Sequence, residues 1–569
     1  MASGTVGRLT GRLSGRRVLR GCREIADEVA SVESDFVDLS DSALAALTGG
    51  FRARIAAGED AFDLLIEAFA AVREASRRTL GLRHHDEQIM GGAAMAMGAV
   101  ADMRDSEGKT LTCVLPAYLA ALEGGAVHVI TMDDRQAAEA ARWMGPVYRA
   151  LGIEAGLIGH DLETDARRAV YRADVVYGSA DEIGYDVLRD ELAWTPDELV
   201  LRGLDAGIVD DALHRFVLQG DTEFLISGPA GEDVVERRTA WAGVAGSLSL
   251  DAGDYAVHRE TRSVRLLPQG VDRLQDLLGV DELRPVEDAV ELGVVAAVLR
   301  AREFGTEEPD PAGNVRLARI TGGGLLRAYG TLSGASAGAA EQSEVFQRLY
   351  GMTVVPIPSR RPEGEESGWI VEMDRYERQA TASMAVDLQR AERAAERAAI
   401  MPGGEPVAVD GLFGEYLEML LHGLPRSLGR DDVEHVLARI GDTYPISVTA
   451  DELVRAPRRS AVMERLRADM VEAYGRRERE LGAELAREME RRVLLAVTDR
   501  GWREHLARAD ALPGSLSLLG SGEPGEESMT EAYLDAVADS HLMMRELIVE
   551  DVVGYLFHIE LDPEEPEDA

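Results

Sequence analysis

Between Thr110 and Gly124 the apolar positions are Leu111, Val114, Leu115, Tyr118, Leu119 and Leu122. This i, i+3, i+4, i+7, i+8, i+11 spacing marks one face of a helix and predicts an amphipathic helix. Gly124-Gly125 stops it. Short β-rich runs follow: "GAVHVITM" (125–132), "ADVVYGS" (173–179) and "AGIVDD" (206–211), the last ending in two carboxylates. Strand, loop, helix and strand at this spacing imply βαβ units and a parallel sheet. At 254–279, "DYAVHRETRSVRLLPQGVDRLQDLLG" predicts a small strand pair and then a helix, an insertion with its own small core. Over 325–362 the pattern predicts a helix followed by a strand at "MTVVPIP". From 372 onward it is nearly all helical, with one long, charged, Leu/Val-striped helix at 464–506.

Composition narrows the class. A chain of 569 residues is too long for one core, so two to four domains are expected. Aromatics are only 5% of residues, so the cores lean on Leu, Val and Ala. The net charge of −41 argues against a uniform nucleic-acid-binding surface. Two cysteines, Cys22 and Cys113, are too few for a disulfide framework and fit a reducing, cytosolic setting. No run of eighteen or more apolar residues exists to span a membrane. The N-terminal stretch "GRLTGRLSGRRVLRGCRE" is basic without an apolar core, so it is not a secretory signal. It is either a solvated helix start or an arm toward anionic lipid or a partner.

The chain's basic residues are arginines except at one position, Lys109. It lies in "DSEGKTL", between Gly108 and Thr110, at the start of the predicted helix. A lone lysine placed at random would fall between Gly and Ser/Thr about one time in a hundred. In a phosphate-binding loop, backbone N–H groups and a helix N-terminus hold the phosphates. Lysine reaches the outer phosphates as a compact, rotatable charge, and the next hydroxyl binds Mg²⁺. The full pattern wants a glycine five places before Gly108, where this chain has Met103. The second element such a site needs is a carboxylate at a neighbouring strand end, and Asp210 and Asp211 follow Ile208-Val209. His84-His85 is no metal site without further ligands nearby.

These segments, in this order, resemble the SecA family, the ATP-driven motors of bacterial protein export. The resemblance rests on "ASRRTLGLRHHDEQIMGG", "MRDSEGKTL", "LPAYLAAL", "ARWMGPVYRALGI", "ADVVYGSADEIGYDVLRDEL" and "GIVDDALHRFVLQGDTEFLISGPA". It continues through "DYAVHRETRSVRLLPQGV", "ITGGGLLRAYGTLSGAS", "VVPIPSRRP", "RRVLLAVTDRGWREHL" and "VVGYLF". It implies a P-loop α/β domain of the RecA/helicase-like class, with a small α+β insertion and an all-helical C-terminal region. The implied division is 1–228 for the N-terminal arm and nucleotide-binding domain, 229–324 for a reduced preprotein-crosslinking-like insertion, and 325–362 for the return to the first domain. A linker or remnant of the second motor domain follows at 363–405, a scaffold and wing-like region at 406–560, and an acidic tail at 561–569.

The resemblance also implies ATP and Mg²⁺ as cofactors. Arg104, Ser106, Glu107, Gly108, Lys109 and Thr110 would form the phosphate loop, and Gln88 would read adenine. Thr110 with Asp210 would hold the metal, and Asp211 would orient the attacking water with Lys109 on the phosphates. Implied partners are the SecYEG channel and preprotein or a true SecA, with a dimer possible and no nucleic acid. The implied location is cytoplasmic, peripheral at the inner face of the cell membrane.

Several residues depart from the family pattern. Ser106 replaces a glycine, and Asp211 replaces the catalytic glutamate. Ala138 and Glu139 stand in the places of paired arginines, and the coupling motif reads "GASAG" at Gly334–Gly338. No arginine-rich motif of a second nucleotide-binding domain occurs, nor does a Cys/His zinc tail. Two readings stay open: a protein-translocating ATPase, or a degenerate paralogue acting as a binding or regulatory module. A helicase-like nucleic-acid ATPase is disfavoured by the net charge and the export-type insertion.

Overall fold

Among the described residues of the computed structural model there are eleven strands: β1 Val100–Asp102, β2 Val127–Thr131, β3 Ala155–Leu157, β4 Val175–Ser179, β5 Ala206–Asp210, β6 Glu223–Gly228, β7 Tyr255–His258, β8 Ser263–Leu266, β9 Val315–Thr321, β10 Thr331–Ser336 and β11 Val354–Pro356. The structure describes residues 15–104, 108–259, 261–306, 309–310, 312–359, 373–401, 409–441, 443–519 and 526–559. These residues group into two compact units. One comprises Met1–Ile226 with Ala318–Ala391, the other Ser227–Leu317 with Glu392–Ala569.

In the first unit, seven strands form one sheet in the order β11-β1-β10-β5-β2-β4-β3. Every pair described in it is parallel. A parallel sheet is covered by helices on both faces, so its strands read as continuous apolar runs. Successive residues of one strand serve opposite faces. Val127, Val129 and Ile208 join the core on one side, with Phe69, Leu115 and Tyr118. Ile130 and Val209 join the other, with Ile183, Phe216 and Phe346.

The predicted helix after the glycine-lysine pair is Lys109–Leu122. It is not amphipathic. Thr112, Cys113, Pro116, Ala117 and Ala121 are buried as fully as the apolar stripe. The helix lies between strands β2, β5 and β10 and the helices Leu65–Leu80 and Asp86–Ala96, so it has no solvent face. Its polar positions are small or hydroxyl-bearing, which is why the stripe alone misread its surroundings.

Over 325–362 the expected helix and strand are Ser343–Tyr350 and β11, and the structure adds a strand that the pattern did not predict. A helix, Gly322–Arg327, is followed by β10 in the middle of the sheet, between β1 and β5. The sequence of β10, "TLSGAS", lacks the bulky residues that signal a strand. Small residues are required there. A Cβ on Gly334 would stand 2.7 Å from the Val209 carbonyl oxygen and 2.9 Å from the Ala212 Cβ.

In the second unit, β7 and β8 pair antiparallel and lead into the helix Pro268–Leu278. The small core here gathers Trp241, Tyr255, Leu266, Leu292 and Val295. The insertion does not close it alone, because Leu518 of the helix Ala483–Leu519 completes it. The long helix expected at 464–506 is two helices, Arg459–Leu481 and Ala483–Leu519. Gly482 (φ 83°) divides them, a backbone angle that costs glycine little and other residues more. His505 is buried with its Nδ1 2.9 Å from the Ser540 hydroxyl.

Gly334→Ala is expected to destabilise the protein by about 1–3 kcal/mol, the usual cost of overpacking a close-packed interior. The check is the urea midpoint of the sheet-bearing unit. An unchanged midpoint would mean that the β10–β5 spacing relaxes freely.

Candidate nucleotide-binding site

The carboxyl ends of β1, β10 and β5 lie side by side. Asp102 pairs in register with Ser336, and Ala335 with Asp210. Open α/β sheets bind ligands at this edge. The chain leaves β1 through Met103 and Arg104 and is described again from Gly108, while Asp105, Ser106 and Glu107 lie outside the described residues. Met103 is buried where the loop pattern wants glycine. Its N–H donates to the Ser336 carbonyl (2.7 Å), and its sulfur packs on Gly91. It anchors the start of the loop by packing. Arg104 follows it, half-buried.

Gly108 caps the Lys109–Leu122 helix in the left-handed conformation, φ 76°. A Cβ there would also stand 2.6 Å from the Gln88 amide nitrogen. Only glycine satisfies both constraints. Gln88 is held in place from behind: its Oε1 accepts from the His85 N–H at 2.9 Å and caps the helix Asp86–Ala96. Lys109 and Thr110 then open the helix, and the Thr110 hydroxyl donates to Asp210 Oδ2 at 2.7 Å. The two residues are a hundred positions apart in sequence.

Asp211 has φ 69°, unusual for a residue with a side chain. Its Oδ1 accepts from the Ser336 hydroxyl at 3.0 Å, and the same hydroxyl accepts from the Leu213 N–H at 3.0 Å. Ser336 was not singled out from the sequence. The available signal was its place at the centre of "GASAG". Ala138 and Glu139 are exposed on the helix Asp134–Ala150, where Glu139 engages Arg135 at 3.1 Å. The first eight residues of the basic N-terminal stretch, 7–14, fall outside the described residues.

The site is braced by a buried charge. Arg73 is fully enclosed; it donates to the His84 carbonyl (2.9 Å) and to Asp86 (2.5 Å), and reaches Glu33 at 3.4 Å. His84 is no metal ligand here. Its Nε2 is 3.0 Å from the Leu111 carbonyl, which can only accept, so Nε2 carries the proton. Burial holds the ring neutral and pushes its pKa down to about 4. Among the described residues, no group of three or more His, Cys, Asp or Glu side chains is placed to hold a metal.

These residues fit a magnesium nucleotide. The glycine-only cradle at Gly108 admits close backbone approach, and the following helix turns its N-terminus toward this edge, the end that suits phosphate. The Thr110–Asp210 pair is an all-oxygen donor set of the kind Mg²⁺ takes.

Two family models match the chain. The SecA DEAD-like domain covers residues 8–347, and the SecA Wing and Scaffold domain covers residues 386–560. The chain is 38% identical over 390 residues to the protein translocase subunit SecA of Acidothermus cellulolyticus, an alignment covering 61% of this chain and 38% of that protein. It is 36% identical over 395 residues to SecA 1 of Thermobifida fusca, with 62% and 40% covered. To SecA of Kocuria rhizophila it is 37% identical over 450 residues, with 72% and 48% covered. The chain thus spans less than half the length of these relatives.

The neutral, buried His84 makes the site acid-sensitive. The unfolded chain takes up this proton near pH 6.5 and the folded chain near 4, so between these values the unfolded state binds more protons. Stability therefore falls as pH drops through that window, by up to about 3 kcal/mol. His84→Gln keeps an N–H for Leu111 and is expected to flatten the acid slope. His128, also pushed down to about 4 by burial, titrates alike in both proteins and cancels. Urea midpoints from pH 4 to 7 in both proteins provide the check, and parallel slopes would sink this assignment.

Proposed function

The chain belongs to the SecA family, and from that premise we propose that it is a Mg-ATP-binding protein of Sec-dependent protein export. The observation that carries this reading is the Thr110–Asp210 hydrogen bond beside Lys109, at the carboxyl edge of the parallel sheet. Thr110 and Asp210 would hold Mg²⁺, and Lys109 with the first-turn N–H groups would hold the phosphates. Gln88, wedged against Gly108, would read the adenine. Bound Mg²⁺ supplies positive charge that offsets the charge on the transferred phosphoryl group. In turnover, Arg104 and the loop residues Ser106 and Glu107 would border the phosphates, and Asp211 would orient water.

The client in this reading is a preprotein, and the partner is the SecYEG channel or a true SecA. The protein would work in the cytoplasm and at the inner face of the cell membrane, where the basic N-terminal arm would contact anionic lipid. A second copy could complete the nucleotide site in trans. Among the described residues no helix is long and apolar enough to cross a membrane.

One observation favours a second reading, a nucleotide-binding module without a motor stroke. Asp211 is one methylene shorter than the family's glutamate, sits on a left-handed backbone and is tethered to Ser336. A water-orienting carboxylate needs sub-ångström placement, and this one is drawn toward β10. Such a module would act on the channel, on SecA or on an export client.

The deciding measurement is equilibrium binding of Mg-ATP. Micromolar affinity is expected for the chain, and Lys109→Ala should abolish it. Asp210→Asn should weaken binding with Mg²⁺ and leave Mg²⁺-free binding unchanged. Binding that survives in Lys109→Ala would overturn the site. Turnover stimulated by channel-bearing membranes separates the motor from the module.

A further inference from the structure

The second unit holds a cavity of about 460 Å³ whose lining has six arginines and four carboxylates. Its walls are the start of the helix Glu232–Ser247, the approach to and start of the helix Ala289–Phe304, the first residues of β9, and the Arg500–Arg508 stretch of the Ala483–Leu519 helix. In a chain of net charge −41, six arginines reach this one space: Arg237, Arg238, Arg316, Arg500, Arg503 and Arg508.

Carboxylates also line it, so the pairing decides the character of the site. Arg237 is matched by Glu291 at 3.4 Å. Arg316 and Arg500 are matched from outside the cavity, by Asp510 and Asp551, each at 2.5 Å. The other three differ. Arg238 donates to the Gly313 carbonyl, 3.2 Å away. Arg503 meets no carboxylate within ion-pair distance among the described residues. Arg508 is matched by Glu504 at 3.4 Å, but its Nη1 is enclosed with no acceptor among the described residues. An enclosed guanidinium N–H without an acceptor is costly, and an anion would supply one.

We propose that this cavity is a binding site for a phosphate ester, separate from the nucleotide site. Guanidinium forks match phosphate oxygens two at a time. Arg238 and the Arg503–Arg508 pair come from different walls, a convergence that suits a compact, multiply charged group over an extended chain. Val234, Val290 and Leu317 provide an apolar wall for the organic part, and the volume is that of a small-molecule pocket.

Pyrophosphate titrated calorimetrically into the full chain tests the proposal, with Lys109→Ala, Arg503→Glu and Arg508→Gln alongside. Binding should survive Lys109→Ala and weaken at least about tenfold in each arginine variant. Arg503 is exposed, so Arg503→Glu is expected to fold normally, which circular dichroism checks. Retention on phosphatidylglycerol vesicles, absent on phosphatidylcholine and lost in Arg503→Glu, would identify a lipid headgroup as the source. Pyrophosphate binding without such retention would identify a soluble ester. No binding, or binding lost only in Lys109→Ala, overturns the proposal. So does Arg503-dependent capture of a polyglutamate peptide without pyrophosphate binding, which would make the cavity a site for acidic protein segments.

Discussion

The spacing of β1, β10 and β5 is the constraint on which the candidate site depends. β10 is thin: glycine, alanine and serine carry its last four positions, and a Cβ at Gly334 would press on the Val209 carbonyl. Because the middle strand is narrow in side-chain volume, loop and carboxylate approach each other from its two sides. Ser336, the last residue of that strand, then serves both neighbours. Its carbonyl takes the Met103 N–H where the loop begins, and its hydroxyl takes the Leu213 N–H and donates to Asp211. The Thr110–Asp210 contact closes the same edge. Loop, coupling motif and acidic pair are therefore one hydrogen-bonded assembly.

The use of arginine explains the single lysine. Several buried cations here satisfy several acceptors at once, because an incompletely paired buried charge is costly. Arg73 serves a carbonyl and two carboxylates. Arg167 engages Glu182 and Asp186 together with the Leu162 and Gly159 carbonyls. In the second unit, Arg393 and Arg397 converge on Asp499, and Arg393 also covers the Trp502 ring at 5.4 Å. A planar fork with five donors suits such fixed work. Lys109 has a different task. It opens a helix beside a glycine-only turn, and in the proposed function its slim, rotatable ammonium would follow a ligand that arrives and leaves.

Much of the site was legible because its chemistry is local. Gly108, Lys109 and Thr110 are consecutive, and their spacing to a helical stripe is a short-range pattern. Asp210 and Asp211 announce themselves as acids ending an apolar run. Gln88 was legible only through family resemblance, since nothing local says that its amide packs on Gly108. Ser336 and Arg73 were not legible as site residues. A serine in a glycine-alanine stretch carries no periodic signal, and an arginine in a helix reads as solvated. The arginine-lined cavity of the second unit was invisible for the same reason, its walls being drawn from segments spread over nearly three hundred positions.

By itself the sequence determined the elements whose cause is short-range: the βαβ alternation, the helix that starts at Lys109, the acidic strand end and the helical C-terminal third. Periodicity and turn chemistry act over a few residues, so one chain suffices to read them. Tertiary structure alone decided which strand lies in the middle of the sheet and that the Lys109–Leu122 helix has no exposed face. It also decided that Asp211 is tied to Ser336 across 125 positions. These outcomes depend on which surfaces meet, and a residue's burial is a property of its neighbours in space rather than of its neighbours in the chain.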